Sequence, residues 1–385
     1  MRVYMDYAAT TPVDSRVLKA MLPYFTKKFG NTMSLHSSGQ EAKKALEDSR
    51  EEVASLMNAK AQEVIFTGSA TEANNLALKG VAFANKDRGK HIIVSAIEHH
   101  CILESAKWLE KQGFEVTYLP VDRYGLVDLN RLENEIRKDT ILVSIMHANN
   151  EIGTIEPIEE IGKICREHGV LFHTDAAQTF GKIKVDVEKM SLDLLTASAH
   201  KMYGPKGIGA LYIREGVKIE PLLHGGGHEF GLRSSTVNVP GIVGSAEAAR
   251  ICKKEMNSEA TRLSMLSKKL VKSVLRIEKS RLNGHPTKRL PNITNFSFDF
   301  IEGESLITEL DFHGIAASTG SACSSESLEP SHVLLAIGLK PHEAHGRLRL
   351  SIGRWTTRKE IDYVLKVLPE VVERLRKISP YKGKW

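Results

Sequence analysis

Ser198-Ala199-His200-Lys201-Met202-Tyr203-Gly204-Pro205-Lys206-Gly207 is the stretch on which the fold of this chain turns. The apolar run Leu194-Leu195-Thr196-Ala197 leads into it with the short, turn-bounded shape of a buried strand, and Gly-Pro-Lys-Gly closes it as a tight turn. Lys201 therefore stands at a strand end. An amine in apolar surroundings loses solvation of its charged form, becomes nucleophilic and can condense with an aldehyde to a Schiff base. Ser198 and His200 add hydroxyl and imidazole donors of the kind that hold a phosphate. For the stretch alone, a surface lysine in a basic turn is the plainer alternative; the flanking sequence decides between them.

Upstream the pattern alternates. Val64-Ile65-Phe66-Thr67, His91 to Ser95, Glu115 to Tyr118, Ile141 to Met146 and Leu171 to Asp175 read as strands, separated by helical patterns that include Ala73 to Phe83, Cys101 to Lys111 and one opened by Pro157. Strands alternating with helices imply right-handed crossovers and an α/β fold with a large mixed, mostly parallel sheet. Nearer the N-terminus, helices are expected over about 15–25 and 40–56. Past Gly241 two helices, near 243–256 and 260–275, break the alternation. Strands near 293–298, 314–318 and 347–351, with helices near 304–312 and 359–377, then build a smaller α+β unit. The expected division is a large unit over 16–255 and a small one formed by 1–15 with 256–385, the arm Tyr4-Met5-Asp6-Tyr7-Ala8-Ala9-Thr10-Thr11-Pro12 packing back on the second unit.

The chain has 385 residues, 42% hydrophobic and 26% charged, so each unit can bury a core. A net charge of +6, without a long basic block, suits small anionic ligands better than nucleic acid. No apolar run is long enough to span a bilayer and the N-terminus lacks a signal-peptide core, so a cytoplasmic protein is expected. Cys101, Cys165, Cys252 and Cys323 stand far apart with no C-x-x-C pair, which argues against a disulfide framework or a zinc site. Cys165 and Cys252 read as packing residues; Cys101 could gain from a helix N-terminus, with packing the plainer role. Cys323 lies among Ser, Gly and Ala residues with nothing bulky to bury it, and reads as an accessible thiol.

Polar residues collect where open α/β sheets bind ligands, at the carboxyl ends of strands. Gly68-Ser69-Ala70-Thr71-Glu72, between a strand and a helix, suits a phosphate at a helix N-terminus, yet matches neither G-x-G-x-x-G nor a Walker A sequence. Asp175 could pair with a protonated pyridine nitrogen or merely cap a helix. His99 offers a ring that could stack on a cofactor, and Asn149-Asn150 could donate to a phenolate. Arg349 alternates with apolar neighbours on a strand, where a guanidinium can hold an α-carboxylate by two parallel bonds. His224-Gly225-Gly226-Gly227-His228 is similar to a lipase oxyanion loop, but no G-x-S-x-G turn occurs, which rejects a serine hydrolase.

Taken together, Gly68 to Asn75, Glu98-His99, His147 to Gly153, Asp175-Ala176-Ala177-Gln178, Ser198 to Gly207, His224 to Arg233 and Ser321-Ala322-Cys323-Ser324 resemble, in order, the motifs of cysteine desulfurases. These are fold-type I, aminotransferase class V enzymes that use pyridoxal 5'-phosphate. The resemblance runs from Tyr4 to about Ile378. It implies Lys201 as the lysine that forms the Schiff base, Asp175 against the pyridine nitrogen, His99 on the ring, and Gln178 and Asn150 toward the phenolate and the substrate. Ala70, Thr71, Ser198 and His200 would hold the phosphate, joined by Thr236 from the partner subunit of a homodimer. Arg349 would bind the carboxylate of L-cysteine and Cys323 would accept its sulfur.

The segment around Cys323, with Leu328-Glu329-Pro330-Ser331 after it, looks like the subgroup that feeds iron–sulfur cluster scaffold proteins. That likeness makes Cys323 a candidate transient cluster ligand, with no resident metal site. Two departures stand out: Gly30-Asn31-Thr32-Met33-Ser34-Leu35-His36 replaces the usual Gly-Asn-Pro-Ser-Ser-x-His, and the tail after Ile378 is short. Lys201, Asp175, His99 and Cys323 in one chain argue against a non-catalytic scaffold-binding platform; within the family a selenocysteine lyase stays the rival to the desulfurase, and a class V aminotransferase, which needs no loop thiol, is more remote.

Overall fold

A computed structural model describes residues 1–320 and 330–380. Its strands are β1 (Val3–Tyr4), β2 (Val64–Thr67), β3 (His91–Ser95), β4 (Glu115–Leu119), β5 (Thr140–Ser144), β6 (Leu171–Asp175), β7 (Leu194–Ser198), β8 (Gly209–Ile213), β9 (Ser280–Asn283), β10 (Ile293–Phe298), β11 (Ile315–Ala316) and β12 (Arg347–Ser351). Seven of them form one sheet in the order β2-β8-β7-β6-β5-β3-β4. Pairing is parallel from β7 through β6, β5 and β3 to β4, whereas β8 runs antiparallel to both β7 and β2.

Alternate residues of each strand face opposite sides of the sheet, and the core follows that period. Phe66, Ile93, Val143 and Leu195 join one apolar cluster, while Ile65, Ile92, Leu142 and Leu194 join a second on the other face. Burial on both faces is why these strands read as unbroken apolar runs. The apolar run that follows the Gly204–Gly207 turn, to which the sequence reading assigns no element, is the buried strand β8. Gly209 at its start lies so close to Ser69 that a Cβ would fall 2.4 Å from a backbone carbon, so only glycine lets this strand pass beneath the Gly68–Ala70 turn.

The smaller unit is an antiparallel sheet, β12-β10-β9, covered by the helices Gly303–Phe312 and Arg358–Ile378. Its core holds Val3, Met5, Phe296, Leu306, Leu348 and Val364, so the N-terminal arm is part of it. Strand β1 pairs in parallel with β11, Val3 beside Ile315.

The expected helices near 243–256 and 260–275 are one helix, Val239–Val274. Asn257 and Ser258 suggest a break by composition. In the fold, Thr261 Oγ1 donates to the carbonyl of Asn257 and Ser258 Oγ to that of Glu255, satisfying the polar groups without leaving the helix. Residue 255 therefore lies inside a continuous helix. The expected helix over 15–25 is in turn divided into Ser15–Met21 and Pro23–Thr26, with a proline opening the second piece.

Candidate active site

Strand ends assemble the site. Asp175 closes β6, Ser198 closes β7 and leads through one short turn to Lys201, and the turn after β2 delivers Ala70 and Thr71 at a helix start. Loops after β3 and β5 bring His99 and Asn150. From the small unit, β12 contributes Arg349. All of these, with Gln178 and His200, line one cavity of about 300 Å³, within the range of small-molecule sites. Thr236 is exposed and does not line the cavity. Cys323 lies outside the described residues. No group of three or more histidine, cysteine or acidic residues suited to a metal ion occurs among the described residues.

Lys201 Nζ donates to the carbonyl oxygens of Ala8 and Ala9, the second at 2.6 Å. The N-terminal arm thus fixes the amine from the side opposite the sheet. Thr11 Oγ1 donates to the carbonyl of His200 at 2.8 Å and accepts from the backbone N–H of Tyr203 at 3.0 Å. Tyr203 itself, two residues past Lys201, is buried at φ +66°, a conformation that costs a non-glycine residue about 1–3 kcal/mol. Its hydroxyl donates to Glu259 at 2.7 Å and accepts from the N–H of Arg354 at 2.8 Å, and the Arg354 guanidinium lies 4.1 Å over its ring. The turn that carries Lys201 is therefore held by the arm, the long helix and the small unit at once.

Asp175 is 6% exposed. Asn74 Nδ2 donates to its Oδ2 at 2.7 Å and the N–H of Ala177 to its Oδ1 at 2.8 Å. These two donors fix the orientation of the carboxylate. His99 caps the helix His100–Lys111, its Nδ1 accepting from the N–H of Cys101 at 3.2 Å. A backbone N–H is an obligate donor, so Nδ1 carries the lone pair and Nε2 carries the proton. Burial, reinforced by the nearby Lys201, His100 and His332, holds the ring below its ordinary pKa against the opposing pull of Asp175.

Gln178 Nε2 donates to the Ala8 carbonyl at 3.0 Å, and Lys182 Nζ donates to Gln178 Oε1 at 3.3 Å. His200 Nδ1 is paired with Thr10 Oγ1 at 3.0 Å, and burial lowers its pKa to about 4, so at neutral pH it is an uncharged partner. Arg349 Nη1 donates to the carbonyls of Asn150 (2.9 Å) and Gly320 (3.0 Å), and Nη2 to Asp6 Oδ1 at 2.8 Å. Asn149 does not share the role of its neighbour. Fully buried, it accepts the N–H groups of Glu151 and Ile152 and donates to the Ile97 carbonyl, which shapes the loop that presents Asn150.

With this geometry in place, the comparisons with known proteins decide the family. The aminotransferase class-V model matches residues 3–364. Cysteine desulfurase IscS 1 of Archaeoglobus fulgidus is 55% identical over 377 residues, covering 98% of each chain. The chain belongs to the cysteine desulfurases of aminotransferase class V. Among its desulfurase relatives, the IscS of Dictyoglomus turgidum is 54% identical over all of this chain and 98% of that one. A solved NifS-like protein superposes with a TM-score of 0.92 at 43% identity, over 97% of this chain and 100% of that one. A structure titled SspA in complex with cysteine gives 0.83 at 38% identity, over 92% and 100%.

Sequence reasoning missed three contributors to the desulfurase site. The Ala8 and Ala9 carbonyls act through the backbone, which leaves no trace in residue type. Asn74 sits in a helical pattern where its side chain has no visible target. Cys101, expected to be packing, instead lines the cavity with its Sγ 3.0 Å from His99 Nδ1. The signal that could have exposed it is position: it follows the predicted ring-stacking histidine by two residues, at the start of a helix.

Proposed function

We propose that the chain is an L-cysteine desulfurase that uses pyridoxal 5'-phosphate, releases L-alanine and passes the sulfur, as a persulfide on Cys323, to an acceptor such as an iron–sulfur cluster scaffold. The observation that carries this reading is the convergence of Lys201, Asp175, His99 and Arg349 on one cavity. The residues fit the cofactor: a buried carboxylate stands ready for a pyridinium, a lysine amine lies at the same wall, and Ala70 and Thr71 open a helix whose first N–H groups have no partner within the helix. When bound, the cofactor supplies an electron sink for the carbon that loses its proton.

The chain's own residues would do the rest. Arg349 would grip the substrate carboxylate through its planar fork. Lys201 would take the Cα proton, because His99 Nδ1 is turned toward the N–H and Sγ of Cys101 and its other nitrogen, Nε2, already carries a proton. Lys201 would return the proton to the product carbon, with His99 Nε2–H serving as a fixed hydrogen-bond donor in the cavity. The thiolate of Cys323 would attack the substrate sulfur: an S–S bond forms, the C–S bond breaks, and its electron pair stays with the carbon that becomes the methyl group of alanine.

Further proposals concern assembly. A homodimer would cover Phe25, Phe29, Met33 and Leu35, which are 57–93% exposed, and would bring Thr236 to the partner's cavity. Such clustering of large apolar side chains within one segment is unusual on a free surface. We also place the chain in the cytoplasm; no helix among the described residues is long and apolar enough to cross a membrane. The working division is the large unit 16–255 and the small unit of 1–15 with 256–385.

The test is product analysis with purified protein supplied with cysteine, selenocysteine, or alanine plus a keto acid. With dithiothreitol present to reduce the persulfide, alanine and sulfide in a 1:1 ratio from cysteine, abolished by Lys201→Ala, are expected. Turnover of selenocysteine alone, or amino transfer without sulfide, would overturn the reading.

A further inference from the structure

Along the cavity wall, four side chains form one directed line of hydrogen bonds. Asn74 Nδ2 lies 2.7 Å from Asp175 Oδ2 and 3.1 Å from Cys101 Sγ, and that sulfur lies 3.0 Å from His99 Nδ1. The directions follow from chemistry. An amide NH2 has two protons to give, and Asp175 takes one. The opposite amide orientation would set Oδ1 against the carboxylate. Asn74 Oδ1 is instead left buried with no partner, an arrangement that costs desolvation and persists because the carboxylate dictates it. The second amide proton points at the sulfur, so the sulfur accepts there. His99 Nδ1 already accepts from the Cys101 N–H, so at 3.0 Å the thiol proton is the group that faces it.

We propose that Cys101 and Asn74 are positioning residues that couple Asp175 to His99, the thiol donating to His99 Nδ1 and thereby holding this ring neutral with its proton on Nε2. Burial pushes the Cys101 thiol up to about 12, which keeps its proton on sulfur at neutral pH and leaves it unsuited to nucleophilic work. The two roles assigned to Asp175 and His99 are then linked. The carboxylate orients the amide, the amide orients the sulfur, and the sulfur sets the histidine. This inference rests on the desulfurase reading for its purpose, but not for its test.

The experiment uses holoenzyme with 15N-labelled histidine rings, and follows the His99 ring shifts by NMR as a function of pH. His99 is also faced by Asp175, Lys201, His100 and His332, and Cys101 by Glu98 and Thr71, so these remain unaltered in every sample. Unmodified protein should show Nδ1 unprotonated and Nε2 protonated at neutral pH. In Cys101→Ala the His99 midpoint should rise by about one pH unit, the equivalent of one hydrogen bond. Cys101→Ser, which keeps a donor and an acceptor at that place, should restore the original midpoint. An unchanged midpoint in Cys101→Ala, or the same rise in both variants, overturns the proposal. Should the variants fail to fold, a protonated Nδ1 in the unmodified holoenzyme overturns it by itself. Absence of alanine production would sink the desulfurase reading and leave this titration standing, so the two failures are separable.

Discussion

Glu156 shows how one buried side chain carries a pH dependence that no sequence pattern reveals. It is 3% exposed; one carboxylate oxygen accepts from the N–H of Val127 at 3.1 Å and the other has no partner. Burial pushes its pKa up to about 8, with a smaller contribution from Asp122. The folded state therefore binds a proton that the unfolded chain releases above about 4.5, so this group's contribution is full below that pH and is lost as pH rises through about 8. Glu156→Gln should remove a slope of about 1.4 kcal/mol per pH unit between those limits. Chemical denaturation of both proteins at several pH values checks this; parallel stability curves would show that Glu156 ionises freely. At this same scale the sequence made legible that Lys201, Asp175 and His99 meet, because residues at and just past strand ends of an open α/β sheet gather at one cavity. For Cys101 the place two residues after His99 was legible, but its partner was not, because a sulfur packed in a core and one facing a histidine ring look alike in sequence.

Elements are joined by a second kind of buried charge. Arg50, on the helix Ser37–Leu56, is 2% exposed and donates to Glu229 through Nη1 at 2.6 Å and Nη2 at 3.0 Å. Glu229 Oε2 also accepts the N–H of Phe66 in β2, and Arg50 Nη1 donates to the Val64 carbonyl. One ion pair thus ties a helix, the edge strand of the large sheet and the loop after His224-Gly225-Gly226-Gly227-His228. Glu229→Ala would leave the buried guanidinium with only the half-exposed Glu47, 3.2 Å from Nε, as counter-charge and should cost about 3 kcal/mol. Thermal unfolding would register this as a large fall in midpoint, and a loss within experimental error would mean that solvent reaches Arg50 in the variant. The pairing makes Glu229, just past the glycine-rich loop, a structural tie. The alternation of strands and helices was readable because parallel strands buried on both faces are continuous apolar runs. Strand β8 was not, since its apolar run directly follows a tight turn. The joined helix Val239–Val274 was missed because its polar midsection satisfies itself along the helix.

For the whole molecule, function depends on the two units meeting at one cavity. The large sheet supplies Lys201, Asp175 and His99, the small unit supplies Arg349, and the N-terminal arm threads between them to accept from Lys201 and Arg349. Fold class was legible from topology rules, but this crossing was not, because contacts between residues 343 positions apart, as between Asp6 and Arg349, leave no local pattern. The claim that matters most is that sulfur leaves on Cys323. Of the other three thiols, Cys165 and Cys252 are 1% exposed and burial raises their pKa values, that of Cys252 to about 11, while Cys101 is engaged with His99 and Asn74. None is placed as an available thiolate. The most direct measurement is peptide mass spectrometry of the holoenzyme after brief exposure to L-cysteine, run beside Cys323→Ser. One added sulfur on the peptide that contains Cys323, and loss of nearly all sulfide release in the variant, is the predicted result. Sulfur found on Cys101, Cys165 or Cys252, or undiminished sulfide from Cys323→Ser, would contradict it.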